Sequence, residues 1–391
     1  MPKIPILFIF LLVVLPSRGA DELDSSQKER LIEKIGAKLD SKAFAFDTDF
    51  SRWRDFTTED QALISEAKTK KDLAKALNHS LRKFEISHLG ISAPSAVRER
   101  RAGLRTGIGI TIHPLDEGGF VSYVLPLSPA KRTGLEKGDI IETIDGEALK
   151  DLGQLAGVNG QKRILGWKRG SRKMSGEVTY APFPLFEESS MTWLNEDVAI
   201  IKIQSFHYKF YKANRVNRFF RQARKAKAII IDLRNNRGGL SINSRHLASK
   251  ISRQKETFAR IYNDRSKRSK SGKSTHPLPF SRPYKGKVVV LVDSTSASAA
   301  DIFPAFVSES GRGTVIGQRT SGALQLARHL PLPYGFRLYV PISEMLTPKG
   351  LRLEAEGFPP DLELTLEQTV DDEYIFEKAL QQIESTQSVS E

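Results

Sequence analysis

The sequence predicts a multidomain chain of mixed α+β and α/β class: a helical N-terminal segment, a small β module and an α/β core. Three changes of pattern carry that expectation. Apolar residues recur at helical spacing early in the chain, glycine-punctuated short strands begin near residue 107, and strand-helix-strand alternation begins near residue 197. With 391 residues the chain is long for a single core.

The first element is expected to be a leader. Lys3 gives a basic start, residues 4–15 form an apolar run, and Ser17-Arg18-Gly19-Ala20 offers small residues for cleavage. Residues 1–20 read as a secretory signal peptide, because the run is too short to span a bilayer of about 20 apolar residues. A periplasmic or secreted location follows. The chain has no cysteine, which excludes disulfides, thiol catalysis and cysteine-based metal sites.

Residues 21–95 read as a helical region. Leu31, Ile32, Ile35 and Leu39 define a helix over 25–39, and Leu63, Ala67, Leu73, Leu77 and Leu81 define one over 58–84. From residue 107 alternating apolar positions and the Asp145-Gly146 turn signal indicate short strands, which gives a β module over 105–182. Core strands are expected at 197–203, 228–233, 288–292 and 314–317, within a domain spanning 190–366. The stretch 264–287 is rich in Arg, Lys, Ser and Pro and reads as a solvated loop, with a lid or surface-binding segment as the alternative. Residues 367–391 are left as a tail.

The net charge of +14 invites a nucleic-acid reading. The charge is scattered, however, and no zinc-ligand set or RNA-binding aromatic signature accompanies it, so nucleic acid is not an expected partner. Attraction to anionic envelope surfaces fits the balance better. No His/Asp/Glu cluster has metal spacing, and no metal or other cofactor is expected.

Gly107-Ile108-Gly109-Ile110, then Ser128-Pro129-Ala130, then Gly134-Leu135-Glu136-Lys137-Gly138-Asp139, closely resemble a PDZ domain of the bacterial protease type. Glycine before a strand lets successive N–H groups converge on one point, which suits a peptide's terminal carboxylate. The strand edge beyond it can pair with the peptide backbone. Polypeptides bound by their C-termini are therefore the expected partners, through Gly107, Ile108, Gly109 and Ile110.

Asp232-Leu233-Arg234-Asn235-Asn236-Arg237-Gly238-Gly239 follows a buried strand and precedes a helix. Gly238 and Gly239 can present N–H donors there, as an oxyanion site requires. The string resembles the signature of the carboxyl-terminal processing (tail-specific) proteases, whose core is a crotonase-like ββα serine protease fold. Asp293-Ser294-Thr295-Ser296-Ala297-Ser298-Ala299-Ala300-Asp301 is similar to the family's nucleophile loop, which implies Ser298 as nucleophile and Ala299 N–H as a second oxyanion donor. The lysine base of many members is absent, since the corresponding run is Thr320-Ser321-Gly322-Ala323. Ser87-His88 and Glu354 instead look like the Ser-His-Ser-Glu arrangement of the tricorn-type branch. That resemblance implies His88 as general base, oriented by Ser87 and Glu354, with Glu356 as the fallback acid. The resemblance covers residues 85–364 and implies an exported serine endopeptidase. A catalytically inactive peptide- or ligand-binding protein on the same scaffold is the competing expectation.

Overall fold

The computed structural model describes residues 21–185, 187–263, 274–275 and 283–385. The expected signal peptide, most of the basic loop 264–287 and residues 386–391 lie outside the described residues.

The core is a six-stranded sheet ordered Ser190–Trp193, Val198–Lys202, Ala228–Asp232, Lys287–Val292, Thr314–Gly317, Leu362–Glu363. Its first pair is antiparallel and the others are parallel. Strands covered on both faces read as continuous apolar runs, and Ala228–Asp232 is buried at every position. Alternate side chains face two layers. Ile229, Ile231, Val288, Val290 and Val292 meet Phe219, Leu247, Phe303 and Phe306 on one side. Ile230, Val289 and Leu291 meet Ile375, Ala379 and Ile383 on the other. The last three belong to the helix Asp372–Ser385, so the segment expected as a tail after residue 366 completes the core instead.

A second sheet, antiparallel, is built on the long strand Arg337–Leu346, which pairs with Gly90–Ser92, Arg260–Tyr262 and Gln325–Pro331. The N-terminal helices pack on it. Leu31, Ile35 and Leu39 of Ser25–Lys42 share a core with Leu77, Leu81, Phe336, Leu338 and Val340. Each of these leucines is fully buried, and truncation to Ala would cost about 2–5 kcal/mol. The single helix expected over 58–84 is broken into Trp53–Glu59, Gln61–Glu66 and Lys70–Arg82. A polar residue marks two of the helix starts. The Asp60 carboxylate accepts Ser80 Oγ at 2.7 Å and Lys83 Nζ at 2.8 Å, while Thr69 caps the third helix in a reciprocal box with Asp72.

The β module is a separate sheet of Ile110–Leu115, Gly118–Val124, Ile140–Ile144, Lys162–Arg169 and Arg172–Thr179, with the short strand Glu147–Ala148 on Ile140–Ile144. Leu104–Gly107 pairs antiparallel with Ala181–Pro184 and closes its base. Ile110–Leu115 is an edge strand. Gly109 needs its glycine: at φ +81° a Cβ would stand 2.2 Å from Ser128 Cβ.

Candidate active site

The signature string is mostly scaffold. Asp232 and Arg234, both buried, form a doubly hydrogen-bonded pair with Nη2 to Oδ2 at 2.8 Å, and Arg234 Nη1 reaches Thr369 O at 2.8 Å. Removing Arg234 would leave the buried Asp232 carboxylate without its guanidinium partner and cost about 3–5 kcal/mol. Asn236, fully buried, ties the turn: Nδ2 donates to Ile203 O at 2.8 Å and Oδ1 accepts Gly238 N–H at 2.9 Å. Gly238's N–H is thus engaged within the turn, whereas Gly239's is aimed outward. Gly238 C=O accepts Phe206 N–H at 2.9 Å, and in a trans peptide the next N–H, that of Gly239, points the opposite way. A Cβ on Gly238 would sit 2.7 Å from Ser298 Cβ and 3.0 Å from Ala299 N. The glycine therefore lets the turn and the serine loop touch.

That loop leaves the strand Lys287–Val292 under the control of Asp293. Its Oδ1 accepts Thr295 N–H at 3.0 Å and Ser296 N–H at 2.9 Å, and Oδ2 accepts Asn235 N–H at 2.8 Å. Ser296 Oγ is buried and donates to Leu233 O at 2.9 Å, so it is structural. Ser298 has φ +59° and ψ −115°, a conformation that a β-branched or bulky residue rarely holds. It stands at the N-terminus of the helix Ala299–Glu309, where the first N–H groups have no intrahelical partner.

His88 is held from the other sheet. Asn78 brackets Ile91, accepting its N–H and donating to its C=O at 2.8 Å each, which fixes the strand that follows the histidine. His88 takes φ +58° and its ring lies 5.4 Å from that of Tyr339, which in turn stacks on His329 at 4.4 Å. His88 Nδ1 and Ser87 Oγ are 2.8 Å apart. Glu354, buried, accepts Ser87 N–H through Oε1 at 3.0 Å and Leu324 N–H through Oε2 at 2.6 Å. Burial lowers the His88 pKa from its ordinary value, and the Glu354 charge opposes that shift. Glu356, the fallback acid, is exposed.

Asp301 was not singled out by sequence reasoning, although Ser298-x-x-Asp301 has capping-box spacing. Its carboxylate, fully buried, accepts the N–H groups of Ser298 and Ala323 on Oδ2 and that of Gly322 on Oδ1 at 2.9 Å. Burial pushes its pKa up to about 6 against those hydrogen bonds. Residues 322–324 therefore join both halves of the site by backbone alone: Gly322 and Ala323 hold Asp301 beside Ser298, and Leu324 holds Glu354 beside Ser87. Among the described residues no hydrogen bond joins Ser298 Oγ to His88 directly.

A model for peptidase family S41 matches residues 197–364, and a PDZ domain model matches 97–164. The chain carries an S41 peptidase domain beside a PDZ domain. Over 312 residues the chain is 25% identical to a carboxyl-terminal-processing protease of Picosynechococcus sp., covering 75% of this chain and 73% of that one. Over 271 residues it is 24% identical to a probable CtpA-like serine protease of Staphylococcus haemolyticus, covering 66% of this chain and 52% of that one, about half its length. The solved structure of a photosystem II D1 C-terminal processing protease shares its fold, with a TM-score of 0.60 at 19% identity, over 90% of this chain and 97% of that one. S41 peptidases are serine-type hydrolases.

Proposed function

We propose that this chain is an exported serine endopeptidase that hydrolyses polypeptides captured by their C-termini in its PDZ module. The observation that carries the reading is the bonded set of Glu354, Ser87 and His88, assembled from residues far apart in the chain. With its Nδ1 proton given to Ser87 Oγ, neutral His88 keeps the Nε2 lone pair free as a base. Nε2 takes the Ser298 Oγ proton as Oγ adds to the peptide carbonyl. The tetrahedral oxyanion is held by the N–H groups of Gly239 and Ala299, with Gly238 supplying close contact rather than a free donor. His88 then protonates the departing amine, and water repeats the sequence on the acyl-enzyme. Glu354 offsets the cost of charging His88 and fixes the Ser87 backbone. No part of this cycle requires the lysine that position 323 lacks.

Incubating the purified chain with an unfolded polypeptide, beside Ser298→Ala, tests the reading. Serine-dependent fragments are expected, and cleavage surviving in Ser298→Ala would overturn it. Export is tested separately: the N-terminus of the exported protein should be Ala20 or Asp21, and a mature chain beginning at Met1 would contradict the leader.

A further inference from the structure

A groove of about 500 Å³ lies between the PDZ module and the signature turn. Residues 107–110 form one wall, and Leu155 and Phe183 supply an apolar floor. The rim is cationic. Lys71 of the helix Lys70–Arg82, Arg105 of the base strand and Arg237 of the signature turn all line the groove, against a single carboxylate among the described residues, that of Glu187. The Glu187 carboxylate is already engaged by the Tyr123 hydroxyl. Lys71, Arg105 and Arg237 are all exposed, and among the described residues none of the three cations is held in an ion pair. Crowding by protein atoms, and then the Arg105 charge, depress the Arg237 guanidinium below its usual range, with Asp293 acting in the opposite sense. An anion placed between the two arginines would relieve that repulsion.

A peptide's terminal carboxylate brings one negative charge, which the proposed nest of N–H groups within residues 107–110 would receive. Three cations around the same groove exceed what that single charge needs. Successive side chains of an extended peptide point to opposite sides. With the last side chain in the apolar floor, the penultimate one faces the rim.

We propose that the groove selects polypeptide C-termini with an acidic penultimate residue before an apolar last residue, read by Arg105 and Arg237. This rests on the reading that the PDZ module captures C-termini, and one experiment separates the two. The full chain carrying Ser298→Ala is titrated with three fluorescent decapeptides: one ending in Glu-Val, one in Gln-Val, and the Glu-Val peptide amidated at its C-terminus. At low salt the Glu form should bind at least about fivefold tighter than the Gln form, the scale of one or two exposed ion pairs. That advantage should vanish in Arg105→Gln with Arg237→Gln, and return in Arg105→Lys with Arg237→Lys if charge is what is read. Equal affinity of the Glu and Gln forms overturns the acidic selectivity, while loss of binding on amidation would still support terminal capture. If the amidated peptide binds as well as the free acid, capture by the nest is itself wrong.

Discussion

Ser87 donates its backbone N–H to Glu354 Oε1 over 3.0 Å, joining residues 267 positions apart in the chain. The same carboxylate reaches Leu324 N–H, so Glu354 sits between the segment that carries the histidine and the one that braces the serine loop. The contact exists because the N-terminal helices and the strand Arg337–Leu346 fold as one unit.

Removing Ser298 or His88 singly should each lower kcat by several orders of magnitude, and the double variant should lose little more, because the groups act as a unit. Single-turnover measurements on Ser298→Ala, His88→Ala and the pair check this. Additive losses would show that His88 does not serve Ser298.

Gly238→Ala should disable the enzyme without touching a reacting group. The new Cβ would lie 2.4 Å from Ala297 O and 2.7 Å from Ser298 Cβ, both too close for any relaxed contact, and φ +82° disfavours alanine as well. Displacing the serine loop by about 1 Å should cost kcat about 10²-fold, with KM much less affected. Wild-type turnover in this variant would mean that the turn and the loop are not held in register.

Asp301→Asn should weaken both stability and turnover. Asparagine keeps one acceptor oxygen but turns an NH₂ toward N–H donors now satisfied by a carboxylate, at a cost of about 1–3 kcal/mol. Burial has raised the Asp301 pKa from 3.8 to about 6, so the folded state holds more protons than the unfolded state between those values. Its contribution to stability is full below about 3.8 and is lost as pH rises through about 6. Denaturant unfolding across that window should show a decline with rising pH that is flatter in Asp301→Asn. An unchanged slope would remove Asp301 from the account.

Some of this site was legible in the sequence and some was not, for physical reasons. The strands of the core announce themselves as apolar runs, and Gly238-Gly239 beside a buried strand marks a close backbone approach. Ser298, Ser87-His88 and Glu354 were named through resemblance, since lone serines and histidines have no local pattern that separates a base from a structural ring. His113, for comparison, is bonded to Ser122 Oγ at 2.8 Å, and His246 to the Tyr211 hydroxyl at 2.7 Å. The bracing by residues 322–324 was illegible because it uses only backbone N–H groups, which every sequence supplies. The helix starts marked by Asp60 and Thr69 involve partners that periodicity does not encode, such as Lys83 and Ser80 for Asp60.

The pH dependence of the reaction separates His88 from other bases. Burial lowers the His88 pKa below its ordinary 6.5 and the Glu354 charge raises it in part, so the net direction is downward. With His88 as the proposed base, neutral imidazole would be the active form, so kcat/KM should rise with pH through an ionisation below 6.5 and be flat at neutrality. The same sign governs stability: the folded state disfavours His88⁺, so its contribution is present above 6.5 and lost as pH falls through the folded value. Glu354→Gln removes the opposing charge and should move the ionisation further down, while kcat falls because the imidazolium formed during attack loses its counter-charge. NMR titration of the His88 ring in a Ser298→Ala background gives the first shift without relying on turnover, and Asp301→Asn in the same background excludes the carboxylate near 6 as its source. A His88 ionisation above 6.5, or one that rises in Glu354→Gln, would break the link between Glu354 and the base.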